Sequence, residues 1–283
     1  MRQLTLSHNG IKRIQTDDPI LAKIYQDRTQ NLTDCLENEY LLVMEDGRCV
    51  DQMKWQDGQY KPVAVKPISS ELHGKIKPKN AEQICAMDML ADKQTTVKVI
   101  TGCFGSGKSY LSLAASFNAI EKEGSFEKIV YVRNTIEVKD TNGIGYLKGS
   151  YFDKMAVWCG PMLDFLGGVE QLEERIARGQ VAIEHLGFLR GRNIANSILY
   201  CTEAEHLTRE HVQLLLGRVA EGSIVIFDGD FRQIDAKAFE KDNGLQALID
   251  KVSGNKLFSY VHLRESVRSE TAKLADLLDV ERT

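Results

Sequence analysis

Eight consecutive residues near the middle of the chain, Gly102-Cys103-Phe104-Gly105-Ser106-Gly107-Lys108-Ser109, combine small, flexible positions with one cation and one hydroxyl. They match G-x-x-x-x-G-K-[ST] in full, and the chemistry of that pattern is a grip on a phosphate chain. Glycines let successive backbone N–H groups turn toward one point, where bulky side chains would obstruct close approach. An anion held there also meets the positive end of the helix that the loop opens. Lys108 is expected to reach the β- and γ-phosphates, and Ser109 to place a hydroxyl on Mg²⁺. The ligand class this implies is a nucleoside triphosphate with its metal. The loop alone does not separate kinases, GTPases, motors and helicases.

Hydrolysis of a triphosphate also asks for carboxylates at the ends of neighbouring strands, to support the metal and to activate water. After the apolar run Ser197 to Cys201 comes Thr202-Glu203-Ala204-Glu205. Glu203 has the position of a general base. Thr202 stands where a metal-supporting carboxylate is expected, and its hydroxyl binds Mg²⁺ only weakly or through water. Glu205 either compensates or faces solvent. A further run, Ile224-Val225-Ile226-Phe227, ends in the polar cluster Asp228-Gly229-Asp230-Phe231-Arg232-Gln233-Ile234-Asp235. The carboxyl ends of strands are where α/β sheets bind ligands. Gln233 is suited to sense a γ-phosphate or position water, with Asp230 orienting it. Near the end of the chain Arg264 and Arg268 are candidates for a finger on developing phosphate charge. Arg268 is preferred, and the alternative is a surface ion pair with Glu265 or another neighbour.

Elements must hold these residues in place. Val97 to Thr101 reads as a short buried strand before the glycine-rich loop. Ser109 to Lys122 has helical spacing after it, through Leu111, Leu113, Ala114, Phe117 and Ile120. Asn80 to Ala91 reads as a helix capped by Asn80. Further strands are expected at Lys128 to Val132, Val181 to Ile183, Ile194 to Cys201, Ser223 to Phe227 and Leu257 to Leu263. Further helices are expected at Pro161 to Phe165, Val169 to Ala177, Arg209 to Val219 and Ser269 to Leu278. Strands alternating with helices imply a mostly parallel, doubly wound α/β sheet. The first part of the chain differs. Residues 1–37 are mixed and polar, with a short helix conceivable from Ile20 to Tyr25. Residues 40–66 read as an antiparallel meander with turns at Asp46-Gly47 and Asp57-Gly58 and a closing strand at Val63 to Val65. Lys66-Pro67 and Lys77-Pro78 bracket a linker. The expected division is a β-rich appendage over 1–70 and a nucleotide-binding domain over 71–283.

Composition bounds the setting. The chain has 283 residues, 43% of them apolar, enough for a full core. Its formal charge of −4 does not advertise nucleic acid, although such motors can concentrate positive charge in one groove. The six cysteines have no C-x-x-C spacing and read as ordinary thiols of a reducing compartment. There is no run of 18 apolar residues and no signal-like N-terminus, so the expectation is a cytoplasmic protein without membrane contact.

Taken together the motifs resemble the PhoH-like family of P-loop ATPases, over roughly residues 76–280. The pieces are Ile76-Lys77-Pro78-Lys79-Asn80-Ala81-Glu82-Gln83, the glycine-rich loop, Tyr131-Val132-Arg133-Asn134 and Gly143-Ile144-Gly145-Tyr146-Leu147-Lys148-Gly149. They continue with Phe188-Leu189-Arg190-Gly191-Arg192, Glu203-Ala204-Glu205, Gly229-Asp230, Arg232-Gln233-Ile234-Asp235 and Arg268-Ser269. The resemblance implies a RecA-like fold related to superfamily 1 helicases, with ATP and Mg²⁺ as cofactors. It implies that Gln83 recognises adenine through its amide, with Asn80 supporting that segment. Some members are fused to a PIN-type nuclease and act on RNA, and those fusions look like hexameric ring assemblies. The present chain has no room for that nuclease, so RNA cleavage is not carried over. Four positions depart from the family pattern. Asn134 and Lys148 stand at proline positions, Thr202 replaces an aspartate, and Asp228 replaces a threonine. The last two suggest a carboxylate exchanged between adjacent strand ends, which gives Ser109, Thr202 and Asp228 as the metal set.

The leading functional expectation is an ATP-driven motor on single-stranded nucleic acid, RNA above DNA, working as a homo-oligomer. Arg133, Lys148, Lys154, Arg190 and Arg192 could meet phosphates, or pair across subunits, or face solvent. Phe188 and Tyr146 could stack on bases or lie in the core. The competing class is a nucleotide-dependent assembly or regulatory protein acting on a protein partner. A small-molecule kinase would need an acceptor pocket that no motif identifies.

Overall fold

The computed structural model describes residues 8–64, 67–134, 159–234, 239 and 241–267. Val65, Lys66, the 143–149 segment with Tyr146 and Lys148, Lys154, Asp235, Arg268 and the expected helix from Ser269 to Leu278 lie outside the described residues.

Six strands form one wholly parallel sheet: β7 (Val97–Gly102), β8 (Lys128–Arg133), β9 (Val181–His185), β10 (Ser197–Thr202), β11 (Ile224–Gly229) and β12 (Phe258–Leu263). Their spatial order is β12-β7-β11-β10-β8-β9. The central strands are buried on both faces, which is why they read as continuous apolar runs. Helix α2 (Ala81–Ala91), helix α3 (Lys108–Glu121), and α4 (Gly160–Leu166) with α5 (Val169–Ala177) pack on one face. On the other face lie α6 (Arg209–Leu216) and α7 (Gly244–Val252). Alternation along β10 sorts its side chains: Ile198 and Tyr200 join the first core, Leu199 and Cys201 the second. The order makes this a RecA-like sheet. The chain leaves β7 through α3 and lands on β8, passing two positions that β10 and β11 later fill. That gap brings the carboxyl ends of β10 and β11 beside the loop after β7.

One residue of β7 looks misplaced in sequence. Lys98 sits fully buried in the middle of the sheet. Its ammonium donates to the carbonyls of Met89, at 2.5 Å, and Asp92, and to the Thr95 hydroxyl. These are the last carbonyls of α2, so a cation closes the negative end of that helix.

The expected meander is present, but its closing strand is β4 (Gln59–Pro62), not Val63 to Val65. It pairs antiparallel with β3 (Arg48–Gln56), and β3 with β2 (Tyr40–Glu45). The sequence reading missed β1 (Ile11–Gln15), which pairs parallel with β2. A parallel partner needs a crossover, supplied by α1 (Pro19–Gln26) with Asp18 as its cap. This sheet is fastened to the parallel domain through α2 and β12. The Tyr40 phenol donates to Asp88 at 2.8 Å, Lys54 pairs with Asp92 at 2.5 Å, and Asn38 donates to the Phe258 carbonyl at 2.9 Å. The expected linker is a small hairpin, β5 (Ile68–Ser70) and β6 (Gly74–Ile76), laid against α3. Helix α7 was also missed, although Asn243 followed by Leu245, Leu248 and Ile249 carries a cap and helical spacing.

Candidate functional site

The loop Cys103–Gly107 leaves β7 at Gly102 and enters α3 at Lys108. Gly105 and Gly107 take positive φ, 75° and 93°, which glycine adopts without penalty. Gly102 has no room for a side chain, since a Cβ would lie 2.3 Å from the Leu263 carbonyl oxygen. The loop is held from two sides. From α2, Gln83 donates through Nε2 to the Ser106 carbonyl at 2.9 Å and accepts the Lys79 N–H through Oε1 at 2.8 Å. From the segment after β12, the Leu263 carbonyl accepts the Cys103 N–H at 3.2 Å, and the Val267 N–H donates to the Gly105 carbonyl at 3.0 Å. Asn80 caps α2 by accepting the Gln83 N–H at 2.9 Å and donates to Glu265 at 3.3 Å. Gln83 is only 4% exposed, with both ends of its amide engaged by backbone. Arg264 is exposed, and its N–H donates to Glu82 at 2.6 Å.

Lys108 donates to the carbonyls of Gly102 and Cys103 at 2.9 and 3.1 Å, across the mouth of the loop. Register carries the next groups alongside. Cys201 pairs with Phe227, so Thr202 and Asp228 lie side by side one residue further on, both 2% exposed. The Tyr200 phenol donates to Asp228 Oδ2 at 2.5 Å. Burial, then the Asp228 charge, pushes this phenol well above its ordinary pKa, so it keeps its proton and remains a donor. Sequence reasoning missed Tyr200, because a tyrosine within an apolar strand reads as core.

Glu203 follows with φ 52° and ψ 43°, in the left-handed region. The other described non-glycine residues with positive φ are all Asn or Asp, whose short polar side chains tolerate it. A glutamate held there is strained, and such strain gathers at functional sites. Its carboxylate pairs with Arg133 at the end of β8, and His206 Nδ1 lies 4.0 Å away. Arg133, expected among the phosphate-meeting cations, is thus a partner of Glu203. Glu205 does not face solvent. It is 2% exposed and accepts the Asp230 N–H at 3.1 Å, with no space for a side chain at Gly229 beside it. Burial pushes its carboxyl up to about 8. Asp230 accepts the Gln233 side-chain amide at 3.0 Å and the Arg232 N–H at 3.0 Å.

One cavity of about 660 Å³ gathers these groups: Lys108 and Ser109, Thr202 and Glu203, Asp228 and Gln233. Its wall continues to Phe104, 46% exposed at the loop tip, and along α3 to Tyr110. The donor set fits a triphosphate with Mg²⁺. It offers the Lys108 ammonium, the N–H groups opening α3, the Ser109 and Thr202 hydroxyls and the Asp228 carboxylate, and Mg²⁺ in such sites keeps waters and phosphate oxygens as its other ligands. The Ser106 hydroxyl within the loop is fully buried and has no protein partner, the kind of orphan a bound polar ligand satisfies. Away from the cavity, Phe188 is 67% exposed rather than core, Arg190 is exposed, and Arg192 pairs with Glu184 at 2.9 Å.

A RecA-like sheet with this loop at its switch point defines a P-loop nucleoside triphosphatase fold. The family model for PhoH-like protein matches residues 75–278, and the chain belongs to that family. Protein PhoH2 of Bacillus subtilis (strain 168) is 35% identical over 213 residues, 72% of this chain and 48% of that protein. Protein PhoH2 of Mycolicibacterium smegmatis is 33% identical over 202 residues, 70% of this chain and 46% of that protein. The chain thus spans about half the length of the curated relatives it matches. Among solved structures, the Pif1 helicase from Candida albicans is similar at 15% identity over 72% of this chain and 44% of that one. Its TM-score is 0.39, too distant a likeness to carry an argument. Among the described residues no helix is long and apolar enough to cross a membrane.

Proposed function

We propose that the chain is a Mg²⁺-dependent ATPase of the cytoplasm that acts on single-stranded nucleic acid, RNA in the first place, as a helicase-like motor. The observation that carries the hydrolytic part is Glu203. It is a carboxylate held against its backbone preference, paired with Arg133, in the cavity that also contains Lys108 and Ser109. In this reading the loop N–H groups and Lys108 bind the phosphates. Ser109 and Asp228, with Thr202 beside them, hold the metal, which when bound neutralises phosphate charge. Glu203 takes the proton of the attacking water, and Gln233, oriented by Asp230, positions that water. Asn80 and Gln83 keep the loop in shape for this. Arg268 remains the proposed finger, acting in cis or on a neighbouring subunit.

The nucleic-acid part is supported by the exposed Phe188 and Arg190 on the turn that follows β9, at the carboxyl edge of the sheet. An aromatic face with a nearby cation is the equipment of single-strand binding. With one RecA-like sheet among the described residues, movement requires neighbours to close the nucleotide sites, so a homo-oligomer, a hexameric ring by family resemblance, goes with the proposal. The test is ATP hydrolysis measured alone, with single-stranded RNA and with single-stranded DNA, beside Lys108→Ala. The expected result is Mg²⁺-dependent turnover, stimulated by RNA and lost in the variant. Turnover indifferent to both nucleic acids, with oligomerisation driven by ATP, would replace the motor by an assembly protein.

A further inference from the structure

One contact of the first sheet leads to the segment that clamps the phosphate loop. It runs through Glu82, in the first turn of α2. Glu82 is buried, and each of its carboxylate oxygens has a partner of its own. Oε1 accepts from Arg13 of β1 at 2.5 Å, and Oε2 accepts the Arg264 N–H at 2.6 Å. Arg264 belongs to the segment after β12 that holds the loop, with Leu263 accepting the Cys103 N–H and Val267 donating to the Gly105 carbonyl. The Arg264 carbonyl itself accepts from the Cys103 thiol at 3.1 Å. Arg13, Glu82, Arg264 and Cys103 thus make a continuous path from β1 to the loop.

The first sheet meets α2 at both ends of the helix, and the two ends differ. At the carboxyl end Tyr40 donates to Asp88 and Lys54 pairs with Asp92. At the amino end there is a cleft of about 430 Å³, lined by Arg13, Arg48 and Gln52 of the sheet and by Asn80, Glu82 and Glu265. The Arg13–Glu82 pair spans this cleft, so here the sheet reaches α2 through charge across an open space.

We propose that Glu82 is a positioning residue for the phosphate grip and that Arg13 sets it, so that the first sheet tunes how tightly the loop holds a triphosphate. The inference rests on the triphosphate reading of the cavity. A buried carboxylate keeps its place while it is paired and hydrogen-bonded. Removal of one partner leaves an uncompensated charge. Without Arg13, Glu82 turns into the cleft toward water and loosens its hold on the Arg264 N–H. The segment after β12 then clamps Cys103 and Gly105 less firmly. Every loop N–H that meets phosphate is affected, and the base is not, so the loss falls on the phosphate chain.

The experiment measures binding of ATP and of inorganic tripolyphosphate by calorimetry with Mg²⁺, together with KM and kcat for ATP hydrolysis and the Tm of each protein. The proteins are the wild type, Arg13→Ala, Arg13→Lys, Glu82→Ala and Tyr40→Phe. The expected result is that Arg13→Ala weakens ATP and tripolyphosphate alike, by about fivefold or more. KM rises with it and kcat keeps its wild-type value. Glu82→Ala weakens both ligands at least as much. Arg13→Lys restores most of the affinity, because the pair uses a single guanidinium nitrogen. Tyr40→Phe removes a contact of the same sheet at the other end of α2, and it lowers Tm without changing affinity. Unchanged affinity in Arg13→Ala would overturn the proposal. So would an equal weakening in Tyr40→Phe, which would make the effect a general loosening of the sheet, or a lysine variant no better than alanine. If Glu82→Ala does not fold, the two Arg13 variants decide. A wild type that binds neither ATP nor tripolyphosphate would instead refute the triphosphate reading, and the positioning role with it.

Discussion

Replacing Glu203 separately by alanine and by glycine isolates the strain at this position from its chemistry. Both substitutions delete the carboxylate and its pairing with Arg133. They differ in the backbone, in the cost of holding φ at 52° and in the freedom of the unfolded chain. A left-handed backbone costs a residue with a Cβ roughly 1–2 kcal/mol, and glycine escapes it. Glycine in turn loses about 0.4–1 kcal/mol through the greater freedom of its unfolded chain. The difference leaves Glu203→Gly more stable than Glu203→Ala by about 1 kcal/mol, against the usual order of the two residues. For a domain of this size class that is a Tm higher by about 2–4 °C. Both variants are expected to lose turnover by roughly 10²- to 10⁴-fold, the contribution of a positioned general base. Nucleotide binding should survive, because Lys108 and the loop are intact. Denaturation curves for the pair, with ATPase rates, check the argument. If the alanine variant is as stable as the glycine variant, Glu203 is not strained as its φ implies. If either variant turns over at the wild-type rate, Glu203 is not the base.

Two other predictions follow from the same cavity. Tyr200→Phe removes the phenol that donates to Asp228 at 2.5 Å and leaves a buried carboxylate short of a donor; a stability loss of about 1–3 kcal/mol is expected, together with a shifted Mg²⁺ requirement for nucleotide binding, read by titrating Mg²⁺ at fixed ATP. Glu205 has a carboxyl raised by burial to about 8, so between the ordinary carboxylate range and pH 8 the folded state holds a proton that the unfolded state has lost. Its contribution to stability is therefore full at low pH and is lost as pH rises to about 8. Glu205→Gln should flatten that part of the Tm profile between pH 5 and 9, and a slope identical to that of the wild type would refute the assignment.

Much of the parallel domain is legible in the sequence because it is written locally. The G-x-x-x-x-G-K-[ST] pattern encodes a sequence of backbone conformations and a helix start, both of which depend on neighbouring residues alone. The apolar runs of β7, β10 and β11 are continuous because those strands are covered on both faces, and the motifs after them fall at strand ends for the same reason. The first sheet was less legible. Strand β1 is short and polar-flanked, and it exists through parallel pairing with β2 across the intervening α1, a contact with no local signature.

What the sequence determined by itself was the phosphate grip from Gly102 to Ser109, the identity of the residues near it, and family membership through their order. Tertiary structure alone decided how they are used. Adjacent placement of β10 and β11 brings Tyr200 to Asp228, which are 28 residues apart in the chain. The same packing buries Glu205, while Glu203, two residues earlier on the wall of the same cavity, stays partly exposed. Burial and hydrogen bonding are properties of what lies across a sheet or against a helix. An amide such as that of Gln83 therefore acquires its role from neighbours that the chain brings in from far away.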